Sequence, residues 1–398
     1  MTDLASRHDT RGDSHSTKDA FPLAALIALA LSGFITILTE ALPAGLLPQI
    51  SSDLSVSQAS VGQMVTVYAI GSLVAAIPLT RATQNMRRRP LLAVTIAGFA
   101  FANLITAIST SYSLTMVARF LAGISAGLLW ALLAGYAARM VPDAQKGRAI
   151  AIAMAGTPLA LSIGVPAATL LGTVIGWRAC FLLMSITAVL LTLWIATQLP
   201  DFQGQHSNDK QSLGQTARIP GVRPILFVTL TFVLAHNILY TYIVPLLQPA
   251  GLEHRVDAVL FLFGCVSLIG IWFVGAFVDR WLWLLAVASC LTFLLASAVM
   301  GIWPTERTGV YASVGLWGLA FGGAATIFQT AMARTAKKQT DAAQSMLVTF
   351  WNIAIAGGGL LGGGILNHLG VEAYVPVTLA FLFLCLAVIV VCHNAFRS

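Results

Sequence analysis

The chain has 398 residues, 58% of them hydrophobic and only 9% charged, against roughly 25% in an ordinary soluble domain. With a mean hydropathy of +0.84, that balance excludes a soluble globular enzyme, which needs more polar surface, and a disordered chain, which low hydrophobicity and high charge keep unfolded. It fits a polytopic membrane protein, with room for about a dozen helices of about 20 residues each.

Residues 1–20 are polar and are expected to form a disordered cytosolic tail. The apolar run from Phe21 to about Leu47 is too long for a signal-peptide core and lacks a small-residue cleavage site, so it is expected to stay as a first span. Further spans are predicted at about 58–80, 90–109, 112–138, 148–174 and 178–199. After a hydrophilic stretch, six more follow at about 224–248, 257–278, 281–302, 308–333, 343–367 and 372–395. The stretch 200–222 is too polar to cross a bilayer and reads as a cytosolic linker between a bundle at 21–199 and a second at 223–398. The five cysteines (Cys180, Cys265, Cys290, Cys385, Cys392) lie in or beside apolar runs with no CxxC pair, which suits packing better than disulfides or a metal.

Lys and Arg set the orientation. With the N-terminus inside, the inner segments hold 18 of these residues and the outer loops 3, namely Arg178, Arg255 and Arg307. That asymmetry predicts cytoplasmic termini, and it accounts for the formal charge of +7 without any nucleic acid. A shift of 195 residues then overlays Gly123 on Gly318, Gly127 on Gly322, Arg139 on Arg334 and Gly164 on Gly359. The shared offset predicts two parallel six-helix halves.

Glu40 is the one carboxylate well inside an apolar span. Ionised, it costs several kcal/mol there unless it is paired or hydrated, so it is a candidate for binding protons or a cation in a central cavity. The alternative is a Glu solvated at the outer mouth. Arg119 is the matching intramembrane base, expected to hold a partner by hydrogen bonds or through its field; otherwise it snorkels to the interface. The fifth span carries Gly156, Pro158, Gly164, Pro166 and Gly172, which allow close packing and bending. In the seventh span His236, Tyr240 and, less closely, Asn237 share a face, with Tyr242 just beyond. These four suit a hydroxylated or amphipathic substrate, or a polar contact between helices. Asn352 with Trp351, Gln329, Gln63, Tyr68, Asn103 and Trp130 are further candidates of that kind. No HExxH, GxSxG, P-loop or dinucleotide loop is present, so neither an enzyme nor a bound cofactor is expected.

Twelve spans in two halves, with a basic loop after the second, resemble the major facilitator superfamily. The loop signature of that family, GxLaDRxGRR, is split here. The second half keeps Gly275, Phe277, Asp279 and Arg280 without the basic pair. The first keeps Arg88 and Arg89 but has Thr80, Gln84 and Asn85 where the family has Gly, Asp and Arg. RFLAGISAG resembles the family motif with an intramembrane Arg, which falls on Arg119. GTPLALSIGVPAATLLGTVIGWR is similar to the fifth-span motif of twelve-span drug–proton antiporters, in the variant of sugar and chloramphenicol exporters. TEALPAGLLPQIS and FWNIAIAGGGLLGG are similar to the same subgroup, and the likeness runs along essentially the whole chain.

The resemblance implies an all-α membrane protein of twelve transmembrane helices in two six-helix bundles, both termini cytoplasmic, working by alternating access. It implies a proton-coupled antiporter of the bacterial inner membrane that exports a sugar or small drug-like solute. Glu40 and Arg119 would serve proton coupling, and His236, Asn237, Tyr240, Tyr242, Asn352 and Trp130 the substrate. Gly156, Pro158, Gly164, Pro166, Arg88, Arg89, Gly275, Asp279 and Arg280 would form the gating motifs. Substrate, protons and the lipid bilayer are the expected partners, without nucleic acid or metal, and the chain would work as a monomer. An uncoupled facilitator or importer, and a ligand-binding membrane sensor, are the alternatives.

Overall fold

The computed structural model describes residues 21–83, 85–142, 145–204, 213–336 and 339–396. The tail at 1–20 and the middle of the linker, 205–212, lie outside them, as does the side chain of Asp279.

Twelve helices among the described residues are long and apolar enough to cross a membrane. The first half holds spans 1 (Leu23–Gly45), 2 (Gln58–Ala76), 3 (Arg88–Ile108), 4 (Tyr112–Arg139), 5 (Arg148–Ile175) and 6 (Trp177–Gln198). The second holds spans 7 (Val222–Thr241), 8 (Glu253–Val278), 9 (Arg280–Ile302), 10 (Arg307–Ala336), 11 (Ala343–His368) and 12 (Val371–Val391). Each predicted span has its helix, with ends displaced by a few residues. The joints are short. Gly176, at φ +88°, turns span 5 into span 6 in a backbone conformation that side-chain-bearing residues rarely adopt. Spans 8 and 9 run into one another, broken only by the non-helical backbone of Trp281.

The outer surface is apolar, unlike that of a soluble protein. Large apolar side chains such as Val94, Trp272 and Val391 stand outward, on the face that meets lipid. Buried hydroxyls turn back on their own helices: Ser32 donates to the Ala28 carbonyl and Thr36 to the Ser32 carbonyl, both at 2.8 Å. With no water in the hydrocarbon, each such group needs a partner inside the fold.

Glycine sets the helix contacts, and the 195-residue offset reappears there. A Cβ on Gly123 would strike the Tyr68 carbonyl, and one on Gly318 the Phe263 carbonyl at 2.5 Å. Gly127 abuts the Ser72 carbonyl as Gly322 abuts that of Ser267. Both partners of each contact are displaced by the same offset, so spans 2 and 4 pack as spans 8 and 10 do. Across the molecule, span 2 meets span 11, span 5 meets span 8, and span 1 touches span 7. The apolar core of the second bundle continues through this seam to Leu42, Leu46 and Val61.

Candidate functional site

Pro43 lies near the end of span 1. Its ring carries no N–H, so the Thr39 carbonyl, four residues back, has no donor in its own helix. Arg119 supplies one from span 4. Its Nη1 donates to the Thr39 carbonyl at 2.6 Å, Nη2 to the Glu40 carbonyl at 3.2 Å and Nε to the Met64 carbonyl of span 2 at 3.3 Å. The side chain is fully buried, with its guanidinium carbon 4.9 Å from the Tyr68 ring centroid and 5.9 Å from that of Phe181. Around it the Tyr68 hydroxyl donates to the Thr36 carbonyl at 3.1 Å, and Asn103 Nδ2 to Thr39 Oγ1 at 3.0 Å. Five spans meet at this one cation, which is therefore no snorkelling surface residue.

The Glu40 carboxylate takes no part in the network. Glu40 is half-buried, and no hydrogen bond reaches its carboxylate among the described residues. Arg119 touches Glu40 through its backbone alone. A carboxylate so placed, beside a fixed cation yet without a donor, is available to a proton or to a ligand.

Within electrostatic range of it from span 7 is Tyr240, one turn beyond His236. His236 Nδ1 accepts a hydrogen bond from Trp317 Nε1 at 3.1 Å, which leaves the proton of a neutral imidazole on Nε2. The ring stacks on Phe321, with centroids 3.5 Å apart and planes 9° apart, and lies 5.1 Å from the Tyr240 ring. Phe263 packs edge-on to Trp317 at 4.9 Å, and Trp351 closes on Phe321 at 6.2 Å. The Tyr240 hydroxyl is buried without a partner and lies within electrostatic range of Glu40. An aromatic box with polar tips thus opposes an unpaired acid where the bundles meet. Among the described residues, no group of three His, Cys, Asp or Glu side chains is placed to hold a metal ion.

The other substrate candidates have their own neighbours. Asn237 is buried, donates to the Val233 carbonyl at 2.9 Å and packs its Cβ 2.5 Å from the Cβ position of Gly358, on the face toward span 11. Asn352 donates within its own helix to the Val348 carbonyl at 2.9 Å. Trp130 is half-buried against Gly33 of span 1. Tyr242 is fully buried between spans 2 and 11. Trp317, Phe263 and Phe321, which complete the box, went unnoticed in the sequence because they are ordinary apolar-span residues.

The sequence model of the Major Facilitator Superfamily matches residues 29–358. The chain belongs to that superfamily. The "Probable sugar efflux transporter" of Mannheimia succiniciproducens is 27% identical over 351 residues, which cover 87% of each chain. The crystal structure of a bacterial homologue of the human lysosomal transporter Spinster, inward-facing and occupied, superposes with TM-score 0.76 at 13% identity, over 94% of this chain and 97% of that one. The same homologue, inward-facing and unoccupied, gives 0.72 at 13% identity over 95% and 98%. The human organic anion transporter TETRAN gives 0.67 at 15% identity over 93% and 98%. Proteins of this superfamily are transporters rather than enzymes.

The residues matching facilitator motifs can now be placed. In span 5, Gly156 abuts the Ala30 carbonyl and Gly164 the Phe34 ring at 2.6 Å, so both seat this helix on span 1. Pro166 deprives the Ser162 carbonyl of its helical donor, and residues Ala160–Gly164 form a π-helical turn at that point. The Ser162 hydroxyl in turn donates to the Pro158 carbonyl at 2.7 Å. The backbone of this turn meets Gly264 of span 8, in the other bundle.

The basic loop of the first half has an acid that its own signature lacks. Asp201, just after span 6, pairs with Arg87 at 2.6 Å and accepts from the Arg89 backbone at 3.1 Å. Arg88 donates its N–H to the Phe202 carbonyl at 2.8 Å, and Arg89 Nη1 donates to the Leu199 carbonyl at 3.3 Å. From span 4, Tyr136 donates to the Pro200 carbonyl at 2.6 Å and Arg139 to the Gln203 carbonyl at 2.9 Å. Asp201 thereby caps the start of span 3 from outside the helix. In the second half Gly275 has open space where a Cβ would stand, and the exposed Arg280 opens span 9.

Proposed function

We propose that this facilitator is a proton-coupled antiporter that exports a sugar or small drug-like solute by alternating access. The carrying observation is the Glu40 carboxylate, unpaired inside a span, beside Arg119 and within electrostatic range of Tyr240. Glu40 takes up a proton from one side of the membrane and releases it to the other, while substrate occupies the space between Glu40 and the aromatic box. Occupation by one disfavours occupation by the other, and that competition is what couples the two fluxes. Arg119 keeps the acid in place by pinning the proline-bearing end of span 1. The polar tips and stacked faces suit a hydroxylated ring, in keeping with the sugar named for the Mannheimia relative.

The charge asymmetry of the loops supports cytoplasmic termini, and a bacterial relative supports the bacterial inner membrane. Among the described residues, the bonds that Gln63 makes to Tyr242 and Gly359 lie at the end remote from the termini, which in this orientation is the outer side. Both bundles of the transport unit are in one chain, so a monomer suffices.

Proteoliposomes test the coupling. Adding a transported sugar to the wild-type protein is expected to move protons in the opposite direction. Glu40→Gln is expected to abolish that proton movement while leaving downhill counterflow. Proton movement unchanged in Glu40→Gln would refute the assignment.

A further inference from the structure

Tyr242 closes a structure that the candidate site does not use. It sits at the break where span 7 ends, and its ring is fully buried. Three glycines make room for it. A Cβ on Gly62 of span 2 would strike its hydroxyl and ring; one on Gly362 would meet ring atoms at 2.6 Å, and one on Gly363 the hydroxyl at 2.7 Å. The hydroxyl donates to the Gly359 carbonyl at 2.8 Å. Gln63, one residue beyond Gly62, reaches across from the first bundle. Its Nε2 donates to the Gly359 carbonyl at 3.0 Å and to the Tyr242 hydroxyl at 3.3 Å. The Ala59 carbonyl of the first bundle lies 3.3 Å from the same hydroxyl. These contacts sit in the early turns of span 2 and the late turns of span 11, at the end remote from the termini.

We propose that Gln63 and Tyr242 form the latch that holds the bundles together at that end. The inference rests on alternating access but not on proton coupling or on the identity of the substrate. The physical case has two parts. The seam is apolar and glycine-lined, so it closes easily but has little to lock it. The amide and hydroxyl supply directional bonds across it, and those bonds break when the bundles part. Glu40 and the aromatic box are separate from these contacts, so the latch is a positioning element and not a substrate group.

Distance measurements between nitroxide pairs, carried on unnatural amino acids in reconstituted full-length protein, test this. One pair at Ser52 and Leu369 reads the remote end, and one at Asn85 and Gln215 reads the end with the termini. Tyr242→Phe is expected to raise the ratio of open to closed remote ends about fivefold, as loss of one hydrogen bond implies. Gln63→Leu, which removes both bonds that Gln63 makes across the seam, is expected to shift it further. Gly62→Ala, which wedges the ring, is expected to act in the same direction. In each case the pair at the other end moves closer, a reciprocal change that a merely loosened fold does not give. Tyr374→Phe is the control, because its hydroxyl bonds Gly362 within the second bundle, at 3.0 Å. Unchanged distances in Tyr242→Phe and Gln63→Leu, or broadening at both ends without reciprocal closure, would overturn the latch. Proton movement unchanged in Glu40→Gln would instead refute the coupling and leave the latch standing, since the distances are read without substrate.

Discussion

Arg119 directs its whole guanidinium at backbone carbonyls and leaves the neighbouring carboxylate alone. Lysine does not replace it, because one ammonium cannot present a planar fork to three oxygens. Arg119→Met leaves the Thr39 carbonyl buried and unpaired, a loss of about 1–3 kcal/mol on general grounds. Thermal unfolding in detergent is expected to fall accordingly. Pro43→Ala in the same chain restores the missing N–H and should return part of that loss, whereas Pro43→Ala alone should gain little. Equal losses with and without Pro43→Ala would show that Arg119 does not serve the carbonyl that Pro43 leaves without a donor. Both charged residues stood out in the sequence, since acids and arginines are rare in spans. Their relation did not: a sequence shows side-chain charge, but the partners of Arg119 are main-chain atoms freed by a proline.

Helix packing follows the same glycine contacts in each half. Gly123→Ala and Gly318→Ala are expected to destabilise by similar amounts, about 1–3 kcal/mol, because each forces a methyl against a carbonyl of the facing helix. Gly135→Ala and Gly315→Ala, which meet nothing within 4 Å, are expected to be neutral or to gain up to about 1 kcal/mol of helix propensity. The same unfolding measurement decides between the two classes. The glycines were visible in sequence as repeats at one offset, but which of them touch a neighbour was not, because helical phase alone does not say which face meets a helix. In span 11, Gly358 and Gly362 face span 7 while Gly359 and Gly363 face span 2, two stripes one residue apart. Span 5 teaches a related lesson: Pro158 and Pro166 announced a bend, and the fold made it a π-turn whose backbone meets the other bundle.

At the scale of the whole molecule, the bundles touch through spans 2 and 11, 5 and 8, and 1 and 7, and among the described residues Gln63 and Tyr242 bond across the seam at the end remote from the termini. Membrane-impermeant thiol reagents check the orientation. A cysteine introduced at Gly370 is expected to react from outside intact cells, and one at Asn85 only after the membrane is opened; the reverse pattern would invert the topology. The sequence by itself determined that the chain is a twelve-span membrane protein, because hydrocarbon requires long apolar helices wherever the chain crosses it. It also determined the internal repeat and singled out Glu40 and Arg119, since a charge in an apolar run is conspicuous without any knowledge of its neighbours. Only the tertiary structure decided that Arg119 binds backbone, that Asp201 supplies an acid missing from the basic loop, and that Tyr242 belongs to the seam while Tyr240, two residues earlier, lies within electrostatic range of Glu40. Those outcomes depend on which helices come together, and hydrogen bonds between residues more than fifty positions apart leave no local pattern to read.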